Sequence, residues 1–230
     1  MSFRATALWR QYVGLITLGL MALPAMAQSQ TGQPPLPITF PRDAAVTSTL
    51  VKAPNMGNSG SSGENQWLKV EWHYTVLPYE GQGDFLPEVQ FKVWIEGRDM
   101  LDKRGKPNEG VAIALTGSVT YINVAKARDA YGVVFIHPST LARYTNPRAG
   151  GLNDFDRKFD IHVEALIDGK SITGANKGRE TDPDWYQAPT ATKAGLSAVP
   201  NLVYRQDQCP FIIYDPDKYP ALKLPESASK

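Results

Sequence analysis

Strict alternation of apolar and polar residues in two stretches constrains this chain more than any other feature. From Leu68 onward the apolar positions are Leu68, Val70, Trp72, Tyr74 and Val76, with Lys69, Glu71, His73 and Thr75 between them. A period of two puts every second side chain on the same face of an extended chain, so one face is built for a core and the other for water. Residues 87–96 repeat the pattern, with Val89, Phe91, Val93 and Ile95 on one face and Glu88, Gln90, Lys92 and Trp94 on the other. The segment between them, 78–85 (PYEGQGDF), carries the turn residues expected between two paired strands.

Further strands follow by the same reasoning. Residues 45–52 read as a first strand, and 55–65 (NMGNSGSSGEN) as a flexible loop lacking the Lys-Ser/Thr pair of a phosphate-binding loop. After a polar connection at 97–110, Val111, Ile113, Leu115, Val119 and Tyr121 keep one phase through Gly117, which predicts a bulge or kink there. Residues 125–130 (AKARDA) fit a turn of helix, 131–136 (YGVVFI) a fully buried strand, and 138–144 a short helix with proline in its first turn. Phe159, Ile161, Val163, Ala165 and Ile167 form another alternating strand, closed by the hairpin pair Asp168-Gly169 into 170–173. Residues 202–204 and 211–214 read as short final strands. Many short strands and no long amphipathic helix predict an all-β, antiparallel immunoglobulin-like β-sandwich with elaborated loops and a short helix or two, in one domain over 45–220. A jelly roll is the rival arrangement.

Residues 1–27 read as a secretory signal peptide. Arg4 and Arg10 precede an apolar run over 12–23, which is shorter than the roughly 20 residues a membrane span needs. Ala25-Met26-Ala27 then gives the small-x-small pattern, placing cleavage between Ala27 and Gln28. Residues 28–44 form a Pro-rich leader and 221–230 a loose tail. No cysteine at the cut invites a lipid anchor, and the glycine and following apolar helix of a type IV prepilin are missing. The expectation is an exported protein, periplasmic or extracellular at the cell surface, with no stable membrane span after cleavage. With 24 Lys+Arg against 23 Asp+Glu, whole-protein electrostatics do not suit nucleic acid or an anionic membrane. Cys209 is the only cysteine, so it is either a buried thiol or a bridge to another chain.

Residues with chemistry to offer are few. His73 and His162 fall on outward strand faces beside Glu71, Asp160 and Glu164, and could hold zinc or copper if their strands were neighbours; a solvated polar face is the plainer alternative. Asp182-Pro-Asp184 and Asp215-Pro-Asp217 resemble paired calcium donors, but Asp-Pro is also an ordinary turn starter. Hydrolase, zinc-protease and dinucleotide motifs are missing. The expectation is therefore no enzyme, no cofactor and no metal. Trp67 and Trp94 lie on outward phases, and Trp185-Tyr186 in a polar loop. Outward aromatics serve as sugar platforms or as protein-contact anchors, unless another segment covers them. Trp94, Trp185 and Tyr186 are the candidate contact residues.

The strand pair WLKVEWHYTV and PEVQFKVWIEG, then YGVVFIHPSTLARY, then VPNLVYRQDQCPFIIYDPDKYP, together resemble a group of exported verrucomicrobial proteins called pilus-like because they are encoded with type IV pilus-like machinery. Cys209-Pro210-Phe211 departs from the Thr-Pro-Phe of that group at its first position. The resemblance implies an immunoglobulin-like sandwich and an accessory role in the cell envelope, through contacts with envelope or pilus-like machinery proteins and with no catalytic residues to carry over. A carbohydrate- or surface-binding sandwich is the alternative, and a periplasmic enzyme or metal protein a further one.

Overall fold

The structure, a computed structural model, describes residues 36–54, 66–77, 83–101, 107–127, 129–144, 159–178, 184–187, 196–212, 215 and 217–224. The alternating stretches become strands, and their apolar faces meet. The smaller sheet holds β1 (Ile38–Thr39), β2 (Val46–Lys52), β3 (Gln66–Val76) and β6 (Ala130–Ile136). The larger holds β4 (Phe85–Leu101), β5 (Pro107–Ala125), β7 (Ile161–Ile167), β8 (Lys170–Lys177), β9 (Ser197–Pro200) and β10 (Ala221–Leu222). Ladders among the described residues are antiparallel except β5 with β9. The fold is an antiparallel β-sandwich, as the alternation predicts.

Leu68, Val70, Trp72 and Tyr74 from β3 and Val89, Phe91, Val93 and Ile95 from β4 are buried between the two sheets. The Phe91 ring touches those of Trp72 at 5.2 Å, Tyr74 at 4.9 Å and Tyr121 at 6.0 Å, with Phe40 at 6.4 Å. A second contact crosses the sandwich at its side, where the Val133 N–H on the edge of β6 donates to the Tyr121 hydroxyl at 2.9 Å.

Pairing departs from expectation in one large respect. β3 and β4 are not a hairpin; β3 pairs with β1, β2 and β6, while β4 pairs with β5 and β7. Each carries a single apolar face, and the two faces bury one another across the sandwich. Residues 78–82 of the connection, and the loop at 55–65, lie outside the described residues. The polar stretch at 97–110 is strand at its two margins and lengthens the β4–β5 ladder at its hairpin end, with a register shift between Asp99 and Leu101. Gly117 is no bulge, because Val93 pairs with it in unbroken register. It is glycine because Val203 lies over it: a Cβ there would sit 2.6 Å from the Val203 Cβ.

The described part of 125–130 is not helical. Its backbone is drawn to the strand ends instead, with the Val76 N–H donating to the Ala127 carbonyl and the Lys126 N–H to that of Asp84. The helix expected at 138–144 does form, as α1 (Pro138–Tyr144). His137 precedes it, its Nδ1 accepting from the Ser139 N–H at 3.1 Å and from the Ser139 hydroxyl at 2.7 Å. The Asp168-Gly169 hairpin forms with φ of 51° and 72°, the left-handed pair that matches strand twist.

Both margins of the expected domain are strand. Ile38, inside the Pro-rich leader, is fully buried and pairs with Val76, while Ala221 and Leu222 of the tail pair with Ile122 and Tyr121. Of the two expected final strands, 202–204 contributes only a bridge, Tyr204 exchanging two backbone hydrogen bonds with Phe135 at 2.7 and 2.8 Å. Residues 211 and 212 lie in a turn.

This C-terminal segment explains why 131–136 is apolar throughout. Ala130, Val134 and Ile136 face the central core, whereas Val133 and Phe135 face outward into a second cluster with Ala53, Trp67, Phe211 and Tyr219. Phe211 stacks on Phe135 with centroids 4.6 Å apart and an interplanar angle of 4°. Cys209 is half-buried beside it; burial pushes its thiol up to about 11, and Sγ donates to the Gln206 carbonyl. Glu71 fastens the segment, accepting from Lys218 Nζ at 3.0 Å on both oxygens and from the Tyr219 hydroxyl. Burial raises the Glu71 carboxyl, but the bonds from Tyr219, Lys218 and Lys69 together outweigh it and hold the group below 4.5.

A carboxylate held low in the folded state contributes stability that is complete above its ordinary value and is lost as the pH falls through the lower folded value. Glu71→Gln is expected to cost about 2 kcal/mol at pH 7, the scale of hydrogen bonds to a charged group. In urea melts the gap between variant and parent should close as the pH is taken below 4.5. A gap unchanged by acid would mean that the charge of Glu71 contributes nothing.

Candidate binding face on the larger sheet

The outward residues of β4 and β7 alternate with core residues, so the ladder sets them side by side. Trp94 lies opposite His162 on one flank and Thr116 on the other; Lys92 lies opposite Glu164 and Ser118. Residues 184–187 cross this face as a turn, closed by the Gln187 N–H donating to the Asp184 carbonyl at 3.0 Å.

The turn lays Tyr186 flat on His162, with ring centroids 3.5 Å apart and an interplanar angle of 8°. Tyr186 also meets Trp94 at 4.9 Å, Trp185 meets Tyr186 edge-on at 6.1 Å, and Trp94 lies 5.5 Å from His162. Trp94, Trp185 and Tyr186 thus form one half-exposed aromatic patch with His162 beneath it. Gly174 makes room underneath, since a Cβ there would stand 2.7 Å from the imidazole.

His162 is 4% exposed, and its Nδ1 is 2.6 Å from Asn176 Oδ1. That oxygen can only accept, so Nδ1 carries the proton and Nε2 is a bare, buried acceptor with no hydrogen-bond partner among the described residues. Burial lowers the imidazole, against the raising influence of the Asn176 bond and of Glu164 and Asp184, so the neutral ring is the folded form.

Beside the patch opens a cleft of about 640 Å³. Lys92 and Trp94 supply its floor with Thr116 and Ser118, and its wall is the 198–208 segment, including Asn201 and Arg205. Arg205 is already held, Nε and Nη2 donating to the two oxygens of Asp207 at 3.1 and 2.8 Å.

The other sequence candidates do not converge. His73 is in the smaller sheet, stacked on Tyr131 at 5.0 Å, with Nε2 2.9 Å from Asp129 Oδ1, so it shares no site with His162. Among the described residues no three His, Cys, Asp or Glu side chains stand close enough to hold a metal ion. Asp184 and Asp215 accept backbone hydrogen bonds within turns, and Asp182 lies outside the described residues. Trp67 is on the outward phase but 6% exposed, roofed by Phe211, Tyr204 and His137, so it presents no platform. The cleavage pair Ala27 and Gln28 also lies outside the described residues; no helix among those described is long and apolar enough to cross a membrane. Sequence reasoning missed His162 as the support of the patch and the cleft residues Asn201 and Arg205. Asn201, with φ of 64°, is a turn residue whose position on this face depends on β9.

A family model matches residues 44–226, the greater part of the chain. The chain belongs to that family. Its fold is also that of a protein from Akkermansia muciniphila known from a crystal structure, with a TM-score of 0.59 at 19% identity, covering 82% of this chain and 93% of that one. No curated protein matches the sequence.

Proposed function

We propose that this chain is an exported, non-enzymatic protein of the cell envelope, with an immunoglobulin-like sandwich, that acts as an accessory of pilus-like machinery through protein contacts. The observation that carries the reading is the patch of Trp94, Trp185 and Tyr186 on the larger sheet, since half-exposed aromatics packed against one another on a rigid sheet are the residues that anchor contacts at low entropic cost. The signal-like segment at 1–27 supports export. The family match and the likeness to the Akkermansia muciniphila fold agree with the verrucomicrobial resemblance.

The test is crosslinking in intact cells, then capture of the tagged full-length protein and mass spectrometry. Pilus or secretion components are expected above an untagged control, with recovery falling several-fold in the Trp185→Ala/Tyr186→Ala variant. Capture of no envelope protein, or recovery indifferent to that variant, would count against the reading.

A further inference from the structure

The cleft beside Trp94 has a chemistry of its own. Its lining includes the indole of Trp94, the hydroxyls of Thr116 and Ser118, the amides of Asn201 and Gln208, and the cations Lys92 and Arg205. An aromatic surface next to hydroxyls and amides suits a sugar ring, whose C–H face packs on the indole while its hydroxyls exchange hydrogen bonds with the rim. The size agrees, since ligand clefts of about 300–1,000 Å³ take molecules of this kind.

The charge narrows the class. A neutral sugar presents vicinal hydroxyls as donors and is well served by carboxylate acceptors, yet among the described residues no Asp or Glu lines the cleft. The charged groups that the described lining offers, Lys92 and Arg205, are donors only. Arg205 is neutralised by its bidentate pair with Asp207, whereas Lys92 is exposed and in no ion pair among the described residues. Trp94 is held in place from its other side by Tyr186 and His162, so the indole is fixed before any ligand arrives and little ordering entropy is lost on binding.

We infer that this cleft binds an anionic saccharide, with one sugar ring on Trp94 and its carboxylate or sulfate at Lys92. The inference rests on the larger-sheet face being a contact surface, and adds a glycan to the protein partner proposed for it. Trp94 supplies the stacking, Lys92 the charge recognition, and Thr116, Ser118 and Asn201 the hydroxyl contacts.

Calorimetric titration of the purified full chain tests it, with oligogalacturonate as the carboxylated probe, a chondroitin sulfate oligosaccharide as the sulfated one, and a neutral maltooligosaccharide for comparison. Saturable binding of at least one acidic probe is expected, weaker at higher salt, with the neutral probe at least tenfold weaker. Trp94→Ala should weaken binding roughly tenfold. Because that change also strips the support of Tyr186, Lys92→Gln is the second variant: its side chain is exposed, the fold should be untouched, and acidic-probe affinity should fall several-fold while salt dependence flattens. Which acidic probe binds separates carboxylate from sulfate recognition. The proposal is overturned if no acidic probe binds, if the neutral probe binds equally well, or if Lys92→Gln and Trp94→Ala both leave affinity unchanged. Protein capture from cells with no acidic-glycan binding would overturn this inference alone and leave the accessory reading standing.

Discussion

Phe91→Ala is expected to lower the free energy of unfolding by about 3–5 kcal/mol, a large share of the roughly 5–15 kcal/mol that holds a domain folded. Phe91 is fully buried at the point where four other aromatic rings converge from two strands, β3 and β5, and the segment after β1. Truncation removes the transfer free energy of the ring and leaves a cavity whose walls are large, rigid side chains that collapse poorly. Phe91→Leu keeps more of the volume and should cost visibly less. Denaturant melts followed by circular dichroism check the order. A cost below about 1 kcal/mol for the alanine variant would mean that the core closes without Phe91, and the cross-sandwich packing of β3 on β4 would have to be reconsidered.

Gly132→Ala should be nearly as severe, although it adds one methyl group. β6 pairs with β3 so that Gly132 lies directly opposite Trp72, and an added Cβ would stand 2.2–2.4 Å from three atoms of that indole. No neighbour can give by that much without moving the largest side chain of the core, so about 3 kcal/mol or more is expected. The cause is separable by a double-mutant cycle. Trp72→Leu alone leaves a cavity and destabilises; combined with Gly132→Ala, which fills part of that space, the loss should be well below the sum. Strict additivity would show that Gly132 is required for a reason other than the indole.

Those two sites also mark what was legible in the sequence. Period-two alternation announced that Trp72 and Phe91 are inward, because the pleat alone decides which face a residue takes. It did not announce which strands are neighbours, and the turn residues of 78–85 therefore suggested a hairpin between β3 and β4. Lateral partners are chosen by register and long-range topology, which no local pattern encodes. The run YGVVFI did carry a sign that β6 is covered on both sides, but not that Tyr204, Phe211 and Tyr219 provide the cover. Trp67 illustrates the same gap: its phase is outward, and only the distant Phe211 and Tyr204 turn it into a buried residue. β9 and β10 are four and two residues long, too short to show a period of any kind.

On the candidate face, Trp94, Trp185 and Tyr186 were legible as outward or loop aromatics, but their contact was not. It depends on residues 184–187 returning across β7 more than twenty residues after His162. His162 itself looks like a polar-face residue among Glu164 and Asp160; its burial comes from Tyr186 above and the missing side chain of Gly174 below. The cleft wall was invisible for the same reason as β9, whose pairing with β5 brings Asn201 and Arg205 to the sheet.

The measurement that bears most directly on the larger-sheet face as the contact surface is site-specific photo-crosslinking in intact cells. A photoreactive residue at Ser118 samples the cleft floor, and one at Thr49 samples the exposed outer side of β2 in the other sheet. Light-dependent adducts with an envelope component are expected from Ser118 and not from Thr49, and Trp94→Ala should diminish them. Adducts from Thr49 alone, or equal adducts from both positions, would contradict the assignment and move the contact surface off the Trp94 face.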